Sequence, residues 1–276
     1  MNHSAIDDTL AHAIAALKEA DGLLVTAGAG MGVDSGLPDF RGNAGLWAVY
    51  PALGRARLDF TRIANPAAFL ANPRLAWGFY GHRLKLYRET RPHEGFELLQ
   101  RLAAPLEHGL FVFTSNVDGQ FQKAGVPEAR ILECHGSIHH LQCLSSACPS
   151  GIWPADGFAP VVDEAECLLS NALPPCPTCS GIARPNILMF DDWDWREDRT
   201  RQQRQRLDDW LARVRRPVVI EVGAGIAIPT VRHFGERVAG TFIRINPRDA
   251  QRPRKNALVL ELGALDGIRR LAERLG

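Results

Sequence analysis

Hydrophobic positions along this chain follow two alternating rhythms. Residues 4–20 place Ile6, Leu10, Ile14 and Leu17 on one helical face, with Ser4 positioned to cap the helix and Asp7 in its first turn. Gly22-Leu-Leu-Val-Thr-Ala27 then reads as a buried strand that runs straight into glycines. Further runs of buried-strand type stand at 110–114, 130–133, 186–190, 218–222, 242–245 and 258–260. Helical periodicity fills most of the intervals between them, at 94–103, 196–214, 229–239 and 264–274. Strands alternating with helices predict an α/β fold on a parallel sheet.

Two stretches interrupt that rhythm. Residues 43–92 begin with Pro, Gly and Arg and continue into a helix from about 73 to 88. Residues 137–184 are rich in Cys, Pro, Ser and Gly and show little periodicity. Both read as insertions between sheet elements, and a loop-rich segment of that length needs a staple. The six cysteines, at 134, 143, 148, 167, 176 and 179, supply it. Clustered in an enzyme-sized chain, they point to metal rather than to a disulfide framework. Cys143-x4-Cys148 and Cys176-x2-Cys179 form two knuckles able to hold a structural Zn²⁺ through four thiolates. His139 or His140 is a substitute ligand if Cys148 fails to reach, while Cys134 and Cys167 fall outside the spacing and read as packed thiols.

Composition narrows the class without naming it. The net charge of +1 gives no global pull toward nucleic acid or membrane. No apolar run reaches the roughly 18 residues of a membrane span, and the acidic start of the chain does not read as a signal peptide. The expectation is a cytoplasmic protein, monomeric by default. The glycine turns are the remaining local signal. Gly28-Ala29-Gly30 follows the first strand and suits a pyrophosphate, although residue 33 departs from the G-x-G-x-x-G pattern. Gly223-Ala224-Gly225 repeats the arrangement after a later strand and reads equally as a tight turn. No acidic residue closes the first strand–helix–strand unit as ribose recognition by dehydrogenases requires, so a hydride-carrier role is not indicated.

Taken together, several segments resemble the sirtuin family. They are Gly28-Ala-Gly30, Ser35-Gly-Leu-Pro-Asp-Phe-Arg-Gly42, Thr114-Ser-Asn-Val-Asp118, Glu133-Cys-His-Gly136, the paired cysteines, Arg184-Pro-Asn-Ile-Leu-Met-Phe190, the second glycine turn and Ile245-Asn246. Order and spacing hold from about residue 22 to 262. The resemblance implies a Rossmann-like NAD-binding domain of residues 1–42, 93–136 and 185–276. It implies a small domain built from the cofactor loop and helical insertion, 43–92, and a zinc module, 137–184. It further implies an NAD-dependent protein lysine deacylase that acts on acyl-lysine protein or peptide and releases nicotinamide and O-acyl-ADP-ribose. His135 would be the base that takes a proton from a ribose hydroxyl, with Asn116 and Asp118 in the nicotinamide pocket. Gly28, Ala29, Gly30, Asp39, Phe40, Arg41, Ser115, Gly223, Ala224, Gly225 and Asn246 would hold NAD, and Ile187, Leu188 and Phe190 the substrate.

The chain departs from the family pattern at Gly32, Ser115, Ala224-Gly225 and Asp191-Asp192, where relatives carry Ser, Gln, Thr-Ser and Gly-Glu. Lost hydroxyls in the glycine loops keep open an NAD glycohydrolase or ADP-ribosyltransferase on the same scaffold; a non-catalytic NAD or acyl-lysine binding module is a third reading, against which intact His135, Asn116 and Asp118 argue. Tyr80-Gly-His-Arg83 resembles the Tyr-x-x-Arg motif of sirtuins that remove succinyl, malonyl or glutaryl groups, with Arg83 able to grip a carboxylate. The basic run at 196–206 reads as a solvated helix face, and Trp193 and Trp195 as packing or groove-wall residues.

Overall fold

The computed structural model describes residues 3–39 and 42–275, with the side chains of 3–5 and 42 outside that description. Its principal strands are β1 (Gly22–Ala27), β2 (Leu110–Thr114), β3 (Ile131–Glu133), β4 (Gly136–Cys143), β5 (Ala183–Ile187), β6 (Pro217–Val222), β7 (Thr241–Ile245) and β8 (Leu258–Leu260). The longer helices are α1 (His3–Glu19), α2 (Pro73–Glu89), α3 (Gly95–Ala103), α4 (Asp198–Leu211), α5 (Thr230–Arg237) and α6 (Ala264–Leu275). Short helical turns fill residues 42–71.

Six strands form one sheet in the order β8-β7-β6-β1-β2-β3, every pair parallel. The first strand is central because Gly22–Ala27 is buried on both faces, as its unbroken apolar run requires. Alternate residues serve opposite layers. Leu23, Val25 and Ala27 pack with α1, α3 and α6, whereas Leu24 packs with Leu207 and Trp210 of α4 and Val231 of α5. The result is the three-layer α/β/α architecture that the alternation predicts. α1 begins at His3, so Ser4, expected as its cap, lies inside the helix with its side chain outside the described residues.

A second core lies apart from the sheet. β4 pairs antiparallel with β5 and with a two-residue strand at Trp153–Pro154. α2 covers this small sheet, burying Trp77, Phe79, Tyr80 and Leu84 with Ile138, Leu141 and Ile187. Asn72 caps α2 by accepting from the Leu75 N–H, and Pro73 occupies its first turn, where no N–H is needed. Trp77 Nε1 donates to the Ala183 carbonyl at 2.9 Å, tying the helix to β5. Gly78 permits the close packing, since a Cβ there would lie 1.9 Å from the Cys167 carbonyl oxygen.

Two expectations shift. The strand expected at 186–190 is Ala183–Ile187 and belongs to the antiparallel sheet. Its partner, Gly136–Cys143, lies in the stretch whose sequence shows little periodicity. Both faces of that strand are largely buried, by α2 on one side and by the cysteine cluster and its own loops on the other, so no alternation marks it.

Candidate active site

Every site residue expected on the large sheet falls at the carboxyl ends of its strands. Gly28–Gly30 follow β1, Asn116 and Asp118 follow β2, His135 follows β3, Gly223–Gly225 follow β6 and Asn246 follows β7. Strand order reverses direction between β1 and β6, and open α/β sheets bind ligands at such a point, outside the carboxyl ends. A separate cavity of about 560 Å³, beside Asp21, His108 and Arg213, lies at the opposite, amino end of β1.

The two glycine turns meet backbone against backbone. The Gly28 N–H donates to the Val222 carbonyl and the Gly30 N–H to the Gly223 carbonyl, each at 3.0 Å. A Cβ on Gly30 would lie 2.6 Å from Gly223 Cα, and one on Gly223 would lie 2.4 Å from the Gly30 carbonyl carbon. Gly223 also has φ +60°. These glycines are therefore needed first by each other, and the N–H groups of Gly28 and Gly30 serve the fold rather than a ligand. Gly223→Ala is expected to lose roughly 3 kcal/mol of stability in urea denaturation, combining left-handed strain with overpacking. Gly225→Ala, whose Cβ meets no heavy atom within 4 Å, is the near-neutral control.

Polar side chains lock the turns in place. Asn116 Nδ2 donates to the Gly28 carbonyl at 3.0 Å, and Thr114 Oγ1 donates to the Ala27 carbonyl at 3.0 Å. Buried Asn246 donates to the Ala224 carbonyl at 2.9 Å and accepts the Arg248 and Asp249 N–H groups. Arg232 also donates to the Ala224 carbonyl. Ser115, at the start of the same β2 turn, donates its N–H to the Ala27 carbonyl at 3.2 Å. Asp39 is half-buried, and Phe40 and Arg41 lie outside the described residues.

Asp118 is a buried acid. Its carboxylate accepts the Gln120 N–H at 3.0 Å, and its carbonyl oxygen contacts His139 Nε2 at 2.9 Å. Burial, reinforced by the charge of Glu133, pushes its carboxyl up to about 6 against the opposing Gln120 N–H and Arg83. His135 Nε2 stands 3.4 Å from Thr230 Oγ1 at the start of α5, and burial holds its imidazole below the usual histidine value. It is consequently neutral at pH 7, the form a proton acceptor needs. Thr230 and Arg232 are site neighbours that the sequence reading missed, because nothing local marks residues brought in by the fold.

The cysteines assemble as their spacing predicts. The sulfurs of Cys143, Cys148, Cys176 and Cys179 lie within 4.8 Å of one another, with 3.7 Å between Cys143 and Cys179 and between Cys148 and Cys176. Four thiolates at about 2.3 Å from a tetrahedral Zn²⁺ are about 3.8 Å apart, so the cluster fits the ion. Cys148 reaches, so neither His139 nor His140 is needed. Cys134 and Cys167 are buried in hydrophobic clusters away from this group.

The substrate candidates divide. Ile187 is buried, Leu188 exposed and Phe190 half-buried against Phe60 at 5.8 Å between ring centroids. Leu188 donates its N–H to the His135 carbonyl at 2.9 Å, joining the end of β5 to the histidine. Asp191 takes φ +52°, a conformation that suits glycine and that Asp tolerates. Asp192 forms a buried two-pronged pair with Arg184, both contacts at 2.7 Å. Tyr80 stacks on Phe69, and the buried Arg83 guanidinium lies over the Phe79, Tyr80 and Tyr87 rings and donates to the Tyr87 hydroxyl at 3.0 Å. Trp193 is 95% exposed. Among the described residues no helix is long and apolar enough to cross a membrane.

The comparisons with known proteins agree with this geometry. Residues 28–208 match the model of the Sir2 family. A protein of Thermococcus kodakarensis named NAD-dependent protein deacylase is 30% identical over 86% of this chain and 84% of its own. One of the same name from Aeropyrum pernix is 34% identical over 60% of this chain, a match spanning 58% of the relative's length. A Sir2 homologue solved as an NAD complex superposes with a TM-score of 0.72 at 23% identity, covering 96% of this chain and 93% of that one. The chain belongs to the Sir2 family.

Proposed function

We propose that this protein is an NAD-dependent protein lysine deacylase that produces nicotinamide and O-acyl-ADP-ribose. The observation that carries the reading is His135, neutral and half-buried at the carboxyl edge of the sheet, beside the turns that carry Asn116, Asp118 and the paired glycines. When bound, NAD supplies an electrophilic ribose carbon and a leaving group. The residues supply the rest. Asn116 and Asp118 orient the nicotinamide end, Asn246 and the second glycine turn hold the adenosine half, and His135 accepts the proton from a ribose hydroxyl. The end of β5, with Leu188 tied to His135, lays the acyl-lysine segment along the site. Its setting in this proposal is the reducing cytoplasm, where thiolates stay available for zinc. The two hydrophobic cores support a division between an NAD-binding domain and a small zinc-and-helix domain.

The same reading extends to the acyl group. Arg83 holds its charge where burial opposes it, sustained by the surrounding tyrosines, and that is an environment in which a carboxylate gains most from pairing. Succinyl-lysine is therefore a substrate at least as good as acetyl-lysine. Arg83→Met is expected to lower succinyl-peptide kcat/KM by about 10- to 100-fold, the worth of a charge-assisted hydrogen bond, and to leave acetyl-peptide turnover within a few fold. An unaltered succinyl-to-acetyl ratio would reject this assignment.

Mass spectrometry of a panel of acyl-lysine peptides with NAD tests the whole. O-acyl-ADP-ribose formed one-to-one with nicotinamide is the expected result. Free ADP-ribose with intact peptide would instead identify a glycohydrolase, and ADP-ribosylated protein a transferase.

A further inference from the structure

The basic run of α4 is not uniformly a solvated face. Three of its residues converge on one position, Glu133, the last residue of β3 and two before His135. Arg199 Nη1 lies 2.5 Å from the Glu133 carboxylate, whose side chain is 1% exposed. Thr200 Oγ1 donates to the Glu133 carbonyl at 3.1 Å. The fully buried Gln203 accepts the Glu133 N–H at 3.0 Å. α4 thus holds the carboxylate, carbonyl and N–H of a single residue. Arg199 is anchored from outside by Glu128 at 2.6 Å.

We propose that Arg199, with Thr200 and Gln203, is a positioning clamp that fixes the strand end carrying His135 and neutralises the buried Glu133 charge beside Asp118. The inference rests on the deacylase reading only for the choice of assay.

The geometry gives the clamp its sign. Asp118 and Arg199 line one cavity of about 440 Å³, which also meets Glu128, His139 and His140. Arg88 and Lys123 face that cavity too, but their charged groups donate to main-chain carbonyls, Phe158 and Ala155 for Arg88 and Arg88 and Thr90 for Lys123. From α2, Arg83 and Tyr87 face Asp118. His139 and His140 are held neutral by burial, His140 at about 4. Burial raises Asp118 most, the Glu133 charge adds to it, and Arg199 is the cation that meets Glu133 at close range. Arg199 Nη1 meets the buried carboxylate at ion-pair distance, while Gln203 Nε2 has no hydrogen-bond partner among the described residues. Arg199 thereby contributes the charge that balances Glu133. A clamp that acts through charge makes opposite predictions for its two halves.

A double-mutant cycle reads this directly. Arg199→Met leaves the Glu133 anion uncompensated and moves the ionisation of Asp118 to higher pH. Glu133→Gln leaves the Arg199 cation uncompensated and moves it to lower pH. The double variant, neutral at both positions, returns close to wild type. Each single shift is expected at about one pH unit, a tenfold change in the ionisation equilibrium. The titration is followed by carboxyl ¹³C NMR of the isolated protein and, in parallel, as the acid limb of the kcat/KM–pH profile with an acyl-lysine peptide and NAD. Opposed shifts that cancel in the double variant support the clamp. Limbs and resonances that stay in place, or single shifts of the same sign, overturn it even if overall activity falls. Should Arg199→Met not fold, the downward shift of Glu133→Gln and its cancellation in the double variant decide alone. A wild-type protein that turns over no acyl peptide rejects the deacylase reading and leaves the NMR cycle to judge the clamp.

Discussion

Replacing His135 by alanine is expected to lower deacylation by about 100- to 10,000-fold, the range that a positioned proton acceptor contributes. In the proposed mechanism the imidazole acts on a ribose hydroxyl and not on the peptide, so the loss belongs in kcat and the peptide KM should stay within a few fold of wild type. The pH dependence has a definite sign. Burial disfavours the charged imidazole, so His135 protonates only below the usual histidine value. Two groups therefore shape the acid limb, Asp118 at about 6 and His135 at its lowered value, and the His135 step is the one lost in the alanine variant. Steady-state kinetics over pH on an acyl-lysine peptide check both statements, and an alanine variant with full activity would remove His135 from the role of base.

Loss of the metal is expected to be the largest perturbation of stability. A purified protein should carry one zinc per chain by elemental analysis. Cys176→Ser, or a strong chelator, should unfold the small sheet, since closed thiolate sites contribute roughly 10 kcal/mol of folding free energy. The cluster sits between the end of β4 and the start of β5, and its sulfurs are spaced for the ion at 3.7 Å. Without zinc, four thiols must share that space with no bond to hold them, and the loops of 144–182 lose their staple. Because Leu188 is bonded to the His135 carbonyl, the damage should reach the active site as lost activity before the large sheet melts. Hydrogen exchange resolved by segment separates the two. Metal content well below one per chain with an intact fold would refute the zinc assignment.

The sequence displayed some of this and hid the rest for physical reasons. The α/β alternation was visible because each central strand is buried on both faces and each covering helix on one. The cysteines announced their site because ligand spacing is local within each knuckle. β4 was invisible because its main partner, Ala183–Ile187, lies 40 or more residues downstream, and burial on both sides erases alternation. The glycines have a second reason that the sequence did not display. Their spacing suggested a phosphate cradle, whereas the close contact between the two turns alone already forbids a side chain. α4 misled most, since Arg and Gln at 199 and 203 look like surface residues until the buried Glu133 is placed against them. Glu221 and Arg244 likewise stand in otherwise apolar strands, where they neutralise each other inside the sheet at 2.6 Å.

The meeting of the glycine turns has a consequence for how this chain can vary. Residue 30 and residue 223 are distant in sequence but occupy one steric slot, so neither can enlarge while the other stands. Each added Cβ meets the other turn's backbone, so one displacement of the two turns relieves both clashes. Their effects should therefore be epistatic rather than additive. The same interlock means that the floor of the cleft is rigid before any nucleotide arrives. If the proposed NAD site lies there, binding gives up little conformational entropy.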